Sequence, residues 1–135
     1  MLDVGIALFW VALGSALGGA ARFFVSGLVA RAVGETFPWG TMTVNATGSF
    51  AIGAVAAMAD AGLVSNLAHV WPMAVTGFLG SYTTVSSFSL QTLALIRDGE
   101  LARAGGNVLA SFFLCLASVA LGFAVVQAGV GGSAP

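Results

Sequence analysis

Residues 77–89 read GFLGSYTTVSSFS, and this stretch places many hydroxyl groups inside a long uncharged run. Between Ser81 and Ser89, every residue except Val85 and Phe88 carries a hydroxyl. Glycine is about 1 kcal/mol less favourable than alanine in a helix, and hydroxyl groups can bond the backbone groups that a helix break leaves free. The stretch therefore predicts either a helix broken near its middle or a continuous helix whose hydroxyls bond back to the preceding turn.

The composition of the whole chain is that of a membrane protein. Of the 135 residues, 59% are hydrophobic and 7% are charged, and the mean hydropathy is +1.02. Soluble domains carry about 25% charged residues, so this chain has too little charge to cover a soluble surface. The net charge of −1 and the lack of lysine exclude a basic face for nucleic acid. The single cysteine, Cys115, excludes a disulfide framework.

Charged residues divide the sequence into four uncharged segments, and a membrane-spanning helix needs about 20 such residues. Proline beside tryptophan, at Pro38-Trp39 and at Trp71-Pro72, marks the start of the second and third segments. This pairing suits an interfacial aromatic ring followed by the first turn of a helix. We therefore predict an all-α membrane protein with four transmembrane helices in a single domain, residues 1–135. The predicted spans are about 4–31, 38–59, 70–96 and 104–128.

The distribution of arginine suggests an orientation. An even number of spans places both termini on one side of the membrane, and Arg31, Arg97 and Arg103 then share the other side. Positively charged loops are retained in the cytoplasm. The two arginine-containing loops are therefore predicted to be cytoplasmic.

The positions of the acidic residues argue against proton-coupled transport. All of them lie at span ends or in loops, and the one histidine, His69, lies at a predicted interface. Proton-coupled transporters need an Asp, Glu or His inside the membrane to carry the proton. A small proton-coupled exporter, although similar in size and span number, is therefore the least favoured alternative, and no catalytic constellation of an enzyme is present.

Two polar side chains inside the spans have alternative roles. Asn45 lies about seven residues beyond Pro38, and burying an amide costs roughly 2–7 kcal/mol unless it is hydrogen-bonded. Asn45 either bonds a neighbouring helix or presents its NH2 group to a polar path. Arg22 either extends to the far interface or attracts anions and anchors the fold.

A break near Gly80–Thr83 would create two half-helix ends inside the membrane. The carbonyl end of the first half attracts cations, and the amide end of the second half attracts anions. After the break, Thr84, Ser87, Phe88 and Gln91 recur at helical spacing and share one face. Phe88 is either an ordinary packed ring or an anion contact through its electropositive ring edge.

Small and weakly polar residues recur at helical spacing elsewhere. We interpret glycine pairs as packing faces, since glycine lets helix backbones approach closely; these pairs are Gly14 with Gly18 and Gly48 with Gly53. A thin polar stripe in the fourth span could face the third, and consists of Asn107, Ser111, Cys115 and Ser118.

Two long motifs resemble those of the Fluc (CrcB) fluoride channels. WGTMTVNATGSFAIG at 39–53 is similar to that family's span-two motif GTxxVNxxGsfxxG, and TGFLGSYTTVSSFS at 76–89 is similar to its span-three motif GfxGgxTTFSTFS. GSALGGAARF at 14–23 also has the family's spacing up to the arginine. With the four-span layout, the resemblance covers most of the chain.

The resemblance implies a passive channel that exports cytoplasmic fluoride across the bacterial inner membrane and so reduces its toxicity. It implies an antiparallel, dual-topology dimer with two pores. A central sodium ion, structural and not transported, would be held by main-chain carbonyls that match Gly80 and Thr83. The fluoride pathway would include Asn45, Phe88, Thr84, Ser86, Ser87 and Ser111, and Arg22 would line an anion vestibule or serve the structure.

The sequence departs from the family pattern at four positions. Val85 replaces the first of two paired phenylalanines, which removes a ring edge that would contact the anion. Gln91 replaces a glutamate, Asn107 stands where a tyrosine is frequent, and Ser81 replaces a glycine. These departures keep open a subunit of a heterodimeric channel, paired with a paralogue, or a non-conducting partner.

Overall fold

The computed structural model describes residues 3–64 and 70–131, and these residues are mostly helical, with no strand among them. The predicted interface position of His69 lies outside the described residues. In chain order the helices are α1 (Val4–Val33), α2 (Trp39–Asp60), a π-helix (Pro72–Leu79), α3 (Gly80–Tyr82), α4 (Val85–Arg97) and α5 (Leu101–Gly131).

Local signals in the sequence set several helix ends. The Asp3 side chain caps α1 by accepting a hydrogen bond from the Gly5 N–H at 2.8 Å. Gly34 ends that helix with a positive φ of 89°, a conformation that glycine adopts without steric cost. Helix α2 begins at Trp39, directly after Pro38, and the π-helix begins at Pro72, directly after Trp71. The predicted start of α2 at Pro38-Trp39 is therefore confirmed. Val70 and Trp71 are already helical before Pro72, so a helix start at Trp71-Pro72 stays a prediction.

Three helices in the described part of the chain, α1, α2 and α5, are long and apolar enough to cross a membrane. The remaining predicted span, 70–96, is divided into the π-helix, α3 and α4, and α4 is the longest of these with 13 residues. The chain is thus an all-helical protein with three span-length helices and one interrupted helix. Four complete crossings stay a prediction.

The interruption lies at Thr83 and Thr84, which are both extended, with φ/ψ of −79°/158° and −151°/122°. Gly80, where the sequence suggested that the break begins, is itself helical at −62°/−31°. The break therefore starts three residues later than its glycine signal. The reason is that Thr84, unlike Gly80, finds side-chain partners that replace the missing helical bonds, as the site geometry shows.

Glycines bring α1 against the π-helix. A Cβ built on Gly14 would overlap the carbonyl oxygen of Met73, and one built on Gly18 would overlap that of Phe78. Only glycine permits this backbone-to-backbone approach. The interpretation of Gly14 and Gly18 as a packing face is confirmed.

Close backbone approach at glycine residues also joins α2 to α5. A Cβ on Gly53 would overlap the carbonyl oxygen of Val119, and one on Gly122 would overlap that of Phe50. The two long helices therefore cross in backbone contact. Helix α4, by contrast, has no buried residue.

Candidate functional site

The centre of the site is a pairing between α2 and the break in the third segment. The Nδ2 group of Asn45 donates to the Thr84 carbonyl oxygen at 2.9 Å, and the Thr84 N–H donates to Asn45 Oδ1 at 2.7 Å. Asn45 therefore forms the interhelical bond that the sequence left as one of two alternatives. Because an amide nitrogen carries two hydrogens, one remains for another acceptor.

The Thr84 hydroxyl contacts two residues in the first turn of α4. It accepts from the Ser87 N–H at 3.2 Å and donates to Ser87 Oγ at 3.2 Å, and its oxygen lies 3.1 Å from Ser86 Oγ. Thr84 is thus the N-cap of α4, since its side chain satisfies an N–H that lacks a helical partner. Three of the predicted pathway residues, Thr84, Ser86 and Ser87, are brought together here.

These bonds also change the partners of two backbone carbonyls. In an α-helix the N–H of residue i bonds the carbonyl of residue i−4, so Gly80 O would pair with Thr84 N–H and Thr83 O with Ser87 N–H. Those two N–H groups instead bond Asn45 Oδ1 and Thr84 Oγ1. The break therefore releases the two carbonyls that the sequence analysis singled out from their ordinary helical partners.

A cavity of about 440 Å³ lies beside the break. Four predicted site residues line it together: Asn45, Gly80, Thr83 and Thr84. Seven others complete the wall, and these are Gly48, Ser49, Ile52, Val75, Leu79, Val85 and Cys115. None of the eleven carries a formal charge, so we call this space the neutral cavity.

A second cavity, of about 690 Å³, opens toward the turns that follow α1 and α4. Ser87 and Gln91 of α4 line it together with Thr41 of α2. Four charged side chains also line it: Glu35, Asp98, Glu100 and Arg103. We call it the charged cavity. Since Ser87 lines this cavity and is bonded to Thr84 of the neutral cavity, hydroxyl groups connect the two.

Ser86 lines neither cavity but lies against the Thr84 hydroxyl. Three other predicted site residues also line neither cavity: Arg22, Phe88 and Ser111. Arg22 is half-buried in α1, and its carbonyl oxygen accepts from Ser26 Oγ at 2.7 Å. The Phe88 carbonyl accepts from Thr92 Oγ1 at 2.7 Å. Ser111 Oγ donates to Asn107 Oδ1 at 3.4 Å. Within one chain, the structure does not join these residues to the Asn45–Thr84 pair.

The structure adds contacts that the sequence did not indicate. Thr47 Oγ1 lies 2.9 Å from the Tyr82 hydroxyl, and the Tyr82 ring stacks on Phe78 with 5.7 Å between centroids. These contacts hold α3 against α2 and the π-helix. The position of Thr47, two residues after Asn45 on α2, did not predict these contacts, because Tyr82 is distant from Thr47 in the sequence.

The chemistry of the site is that of neutral donors and released carbonyls. Amide and hydroxyl groups can replace the hydration shell of a small ion, and a neutral lining does not trap the ion by charge. In residues 3–64 and 70–131, no group of three or more His, Cys, Asp or Glu residues is placed to hold a metal ion. The oxygen atoms that line the neutral cavity belong to backbone carbonyls and to amide and hydroxyl groups.

Comparison with known proteins agrees with the motifs. A protein-family model described as "CrcB-like protein, Camphor Resistance (CrcB)" matches residues 9–123. A protein of Rhodopseudomonas palustris (strain BisB18), named "Fluoride-specific ion channel FluC 2", is 59% identical over 94% of this chain and 98% of its own length. "Fluoride-specific ion channel FluC" of Opitutus terrae is 55% identical over 84% of this chain and 86% of its own. The chain therefore belongs to the CrcB family, whose matched members are named as ion channels and not as enzymes.

Proposed function

We propose that this chain is a subunit of a passive, fluoride-selective channel that exports fluoride from the cytoplasm across the inner membrane. The observation that carries the proposal is the break at Thr84, where Asn45 and a group of hydroxyls join two cavities. The names of the relatives support fluoride as the ion. The gradient and the membrane potential supply the driving force.

The neutral cavity suits a small, strongly hydrated anion. Such an ion leaves water only if donors replace its hydration shell. The free amide hydrogen of Asn45 and the hydroxyls around Thr84 are donors of this kind, and none of them can be deprotonated near neutral pH. Fluoride would pass from the charged cavity through Ser87 to Thr84 and Asn45, with Phe88 and Ser111 contributing across the assembled pore.

A structural sodium ion fits the carbonyls of Gly80 and Thr83. Both lose their ordinary helical partners at the break, and a Cβ built on Gly80 would meet only the Val75 oxygen, at 3.9 Å. No residue therefore packs closely against Gly80 in the direction of a Cβ. Two such faces, one from each subunit, would supply four neutral oxygens, the ligand type that hard cations prefer.

The exposed surface of the interrupted helix supports assembly with a second subunit. Val85 is 77% exposed although it lines the neutral cavity, and Ser86 and Ser89 are exposed beside it. Hydroxyls at this depth are more favourable against protein than against lipid. The partner is a second copy in antiparallel orientation or a paralogue. Relatives numbered FluC 2, FluC 3 and FluC 4 support the existence of paralogues.

Fluoride efflux from liposomes tests the proposal. The purified single chain is reconstituted with internal potassium fluoride, and a fluoride electrode records release after valinomycin is added. We expect rapid fluoride release and no chloride release under the same conditions. Equal chloride release would exclude selectivity, and fluoride release that follows a pH gradient without valinomycin would favour a proton-coupled exporter.

A second candidate function is a partner that conducts only within a heterodimer. It is favoured by Val85, which removes a ring from the wall of the neutral cavity. If the single chain releases no fluoride, reconstitution with a paralogue from the same genome separates the two candidates. Release that requires both chains would establish the heterodimer.

A further inference from the structure

Helix α4 is held by few contacts. It has no buried residue, so little packing energy fixes its position or its rotation about its own axis. Its N-terminal end is bonded to α2 through the Asn45–Thr84 pair, and its C-terminal end is tied by the short turn to α5. The middle of the helix needs a separate attachment.

Asn107 of α5 supplies that attachment. Its Nδ2 group donates to Thr92 Oγ1 of α4 at 2.8 Å. In the described part of the chain, this side-chain hydrogen bond joins the body of α4 to α5. Asn107 is 1% exposed, so water does not compete for the bond, and breaking it would deprive a buried NH2 group of this acceptor.

The bond continues to two residues of the proposed pathway. Thr92 Oγ1, which accepts from Asn107, donates to the Phe88 carbonyl one turn earlier in α4. Asn107 Oδ1 accepts from Ser111 Oγ, one turn later in α5. The Asn107 side chain therefore links the Phe88 carbonyl of α4, through Thr92, to the Ser111 hydroxyl of α5.

We infer that Asn107 is a positioning residue that sets the rotation of α4, through Thr92, and so aligns Phe88 and Ser87 with Ser111. It acts through a second residue and not on the ion itself. A half-turn error in α4 would move Ser87 away from the charged cavity. The part of this inference that concerns selectivity rests on the proposed function, whereas the part that concerns α4 does not.

Hydrogen–deuterium exchange with mass spectrometry tests the attachment without requiring ion flux. The variants are Asn107→Leu, Thr92→Val and their combination, each of which removes the bond at similar side-chain volume, and Thr92→Ser, which keeps the hydroxyl. We expect exchange of α4 amides about three- to tenfold faster in Asn107→Leu and Thr92→Val, the range set by the loss of one interhelical hydrogen bond. Thr92→Ser should match the wild type.

The double variant decides whether the two residues act together. If Asn107 works through Thr92, the combination exchanges no faster in α4 than the faster single variant. Peptides from α2 should be unchanged throughout. Unaltered α4 exchange in Asn107→Leu, or additive effects in the double variant, would overturn the inference. If Asn107→Leu is not recovered as a folded protein, the comparison of α4 exchange in Thr92→Val with that in Thr92→Ser decides the inference.

Ion selectivity gives the functional readout. We expect the ratio of fluoride to chloride release to fall in Asn107→Leu and Thr92→Val and to be kept in Thr92→Ser. A wild-type chain that releases no fluoride, alone or with a paralogue, would count against the proposed function, whereas the exchange data would still decide the role of Asn107.

Discussion

The side chain of Asn45 pairs with the backbone of Thr84 through both of its polar atoms, as an adjacent β-strand would. Its Oδ1 accepts from the Thr84 N–H at 2.7 Å and its Nδ2 donates to the Thr84 carbonyl at 2.9 Å. An extended residue inside the membrane would otherwise leave two unsatisfied backbone groups, each costing several kcal/mol. The break in the third segment is therefore stable because a residue of α2 completes it.

Replacing Asn45 by aspartate should abolish fluoride release. A carboxylate has the shape of the amide but cannot donate to the Thr84 carbonyl, and its charge repels an anion in the neutral cavity. Flux should fall by at least about a hundredfold, as expected for losing about 3 kcal/mol of favourable interaction. Efflux from liposomes measures this.

Asp60→Asn is the matched control for Asn45→Asp. It is the reverse exchange at the far end of the same helix, and asparagine can still accept the bond that Asp60 Oδ2 receives from Gln127 at 3.2 Å. Its flux should equal that of the wild type. Undiminished flux in Asn45→Asp would show that the Asn45–Thr84 pairing is dispensable for conduction.

Gly53→Ala should destabilise the fold, whereas Gly105→Ala should not. A Cβ at Gly53 would overlap the Val119 backbone, and one at Gly105 would meet nothing within 4 Å. Forcing α2 and α5 apart costs about 1–3 kcal/mol, while alanine in an open helical position gains roughly 0.5–1 kcal/mol. Unfolding midpoints of the detergent-solubilised protein compare the two; similar midpoints would contradict the crossing at Gly53.

Val85→Phe should raise fluoride flux and leave stability unchanged. Val85 is 77% exposed and lines the neutral cavity, so the larger ring has room within the chain and adds an electropositive edge to the wall. Liposome efflux measures the gain, and Val85→Leu, which adds volume without a ring, is the control. An equal effect of both substitutions would mean that size and not the ring edge matters.

Asp98→Asn should increase fluoride current at low ionic strength. The charged cavity is lined by three carboxylates and one guanidinium, and Arg103 pairs with Glu100 at 3.5 Å, which leaves Asp98 and Glu35 to repel an entering anion. We expect about a twofold increase at low salt, lost near 1 M salt where the screening length is about 3 Å. Single-channel recording provides the measurement.

Asp3→Asn removes the same charge outside the charged cavity and keeps the cap of α1, because asparagine also accepts the Gly5 bond. Its current should be unchanged at every salt concentration. Arg103→Gln should reduce the current at low salt, opposite to Asp98→Asn. Equal effects of Asp98→Asn and Asp3→Asn would show that the cavity lining does not influence anion entry.

Much of the fold could be predicted from local patterns. Low charge and four uncharged segments indicated membrane helices, and the three longest helices lie where those segments were expected. Pro38 beside Trp39 marked the start of α2, and the glycine pair Gly14 and Gly18 marked a packing face. These features depend on local backbone preference and hydropathy, which a single sequence contains.

The site was only partly predictable. The residue types around Asn45 and Thr84 were identified, and the neutral cavity brings four of them together. The position of the break was predicted in part, since Thr83 is extended within the expected stretch Gly80–Thr83, whereas Gly80 is helical and the break continues to Thr84. The contact of Thr47 with Tyr82 gave no signal, whereas the polar stripe of α5 was expected to face the third segment, and Asn107 does so by donating to Thr92.

By itself, the sequence determined that this chain is an all-helical membrane protein, that its central segment is rich in neutral donors, and that its motifs are those of the CrcB family. Only the tertiary structure decided where the helix breaks and which donors remain free. The physical reason is that a helix breaks where another element can take over its backbone bonds. Asn45 lies 39 residues from Thr84 in the chain, and only packing brings them together.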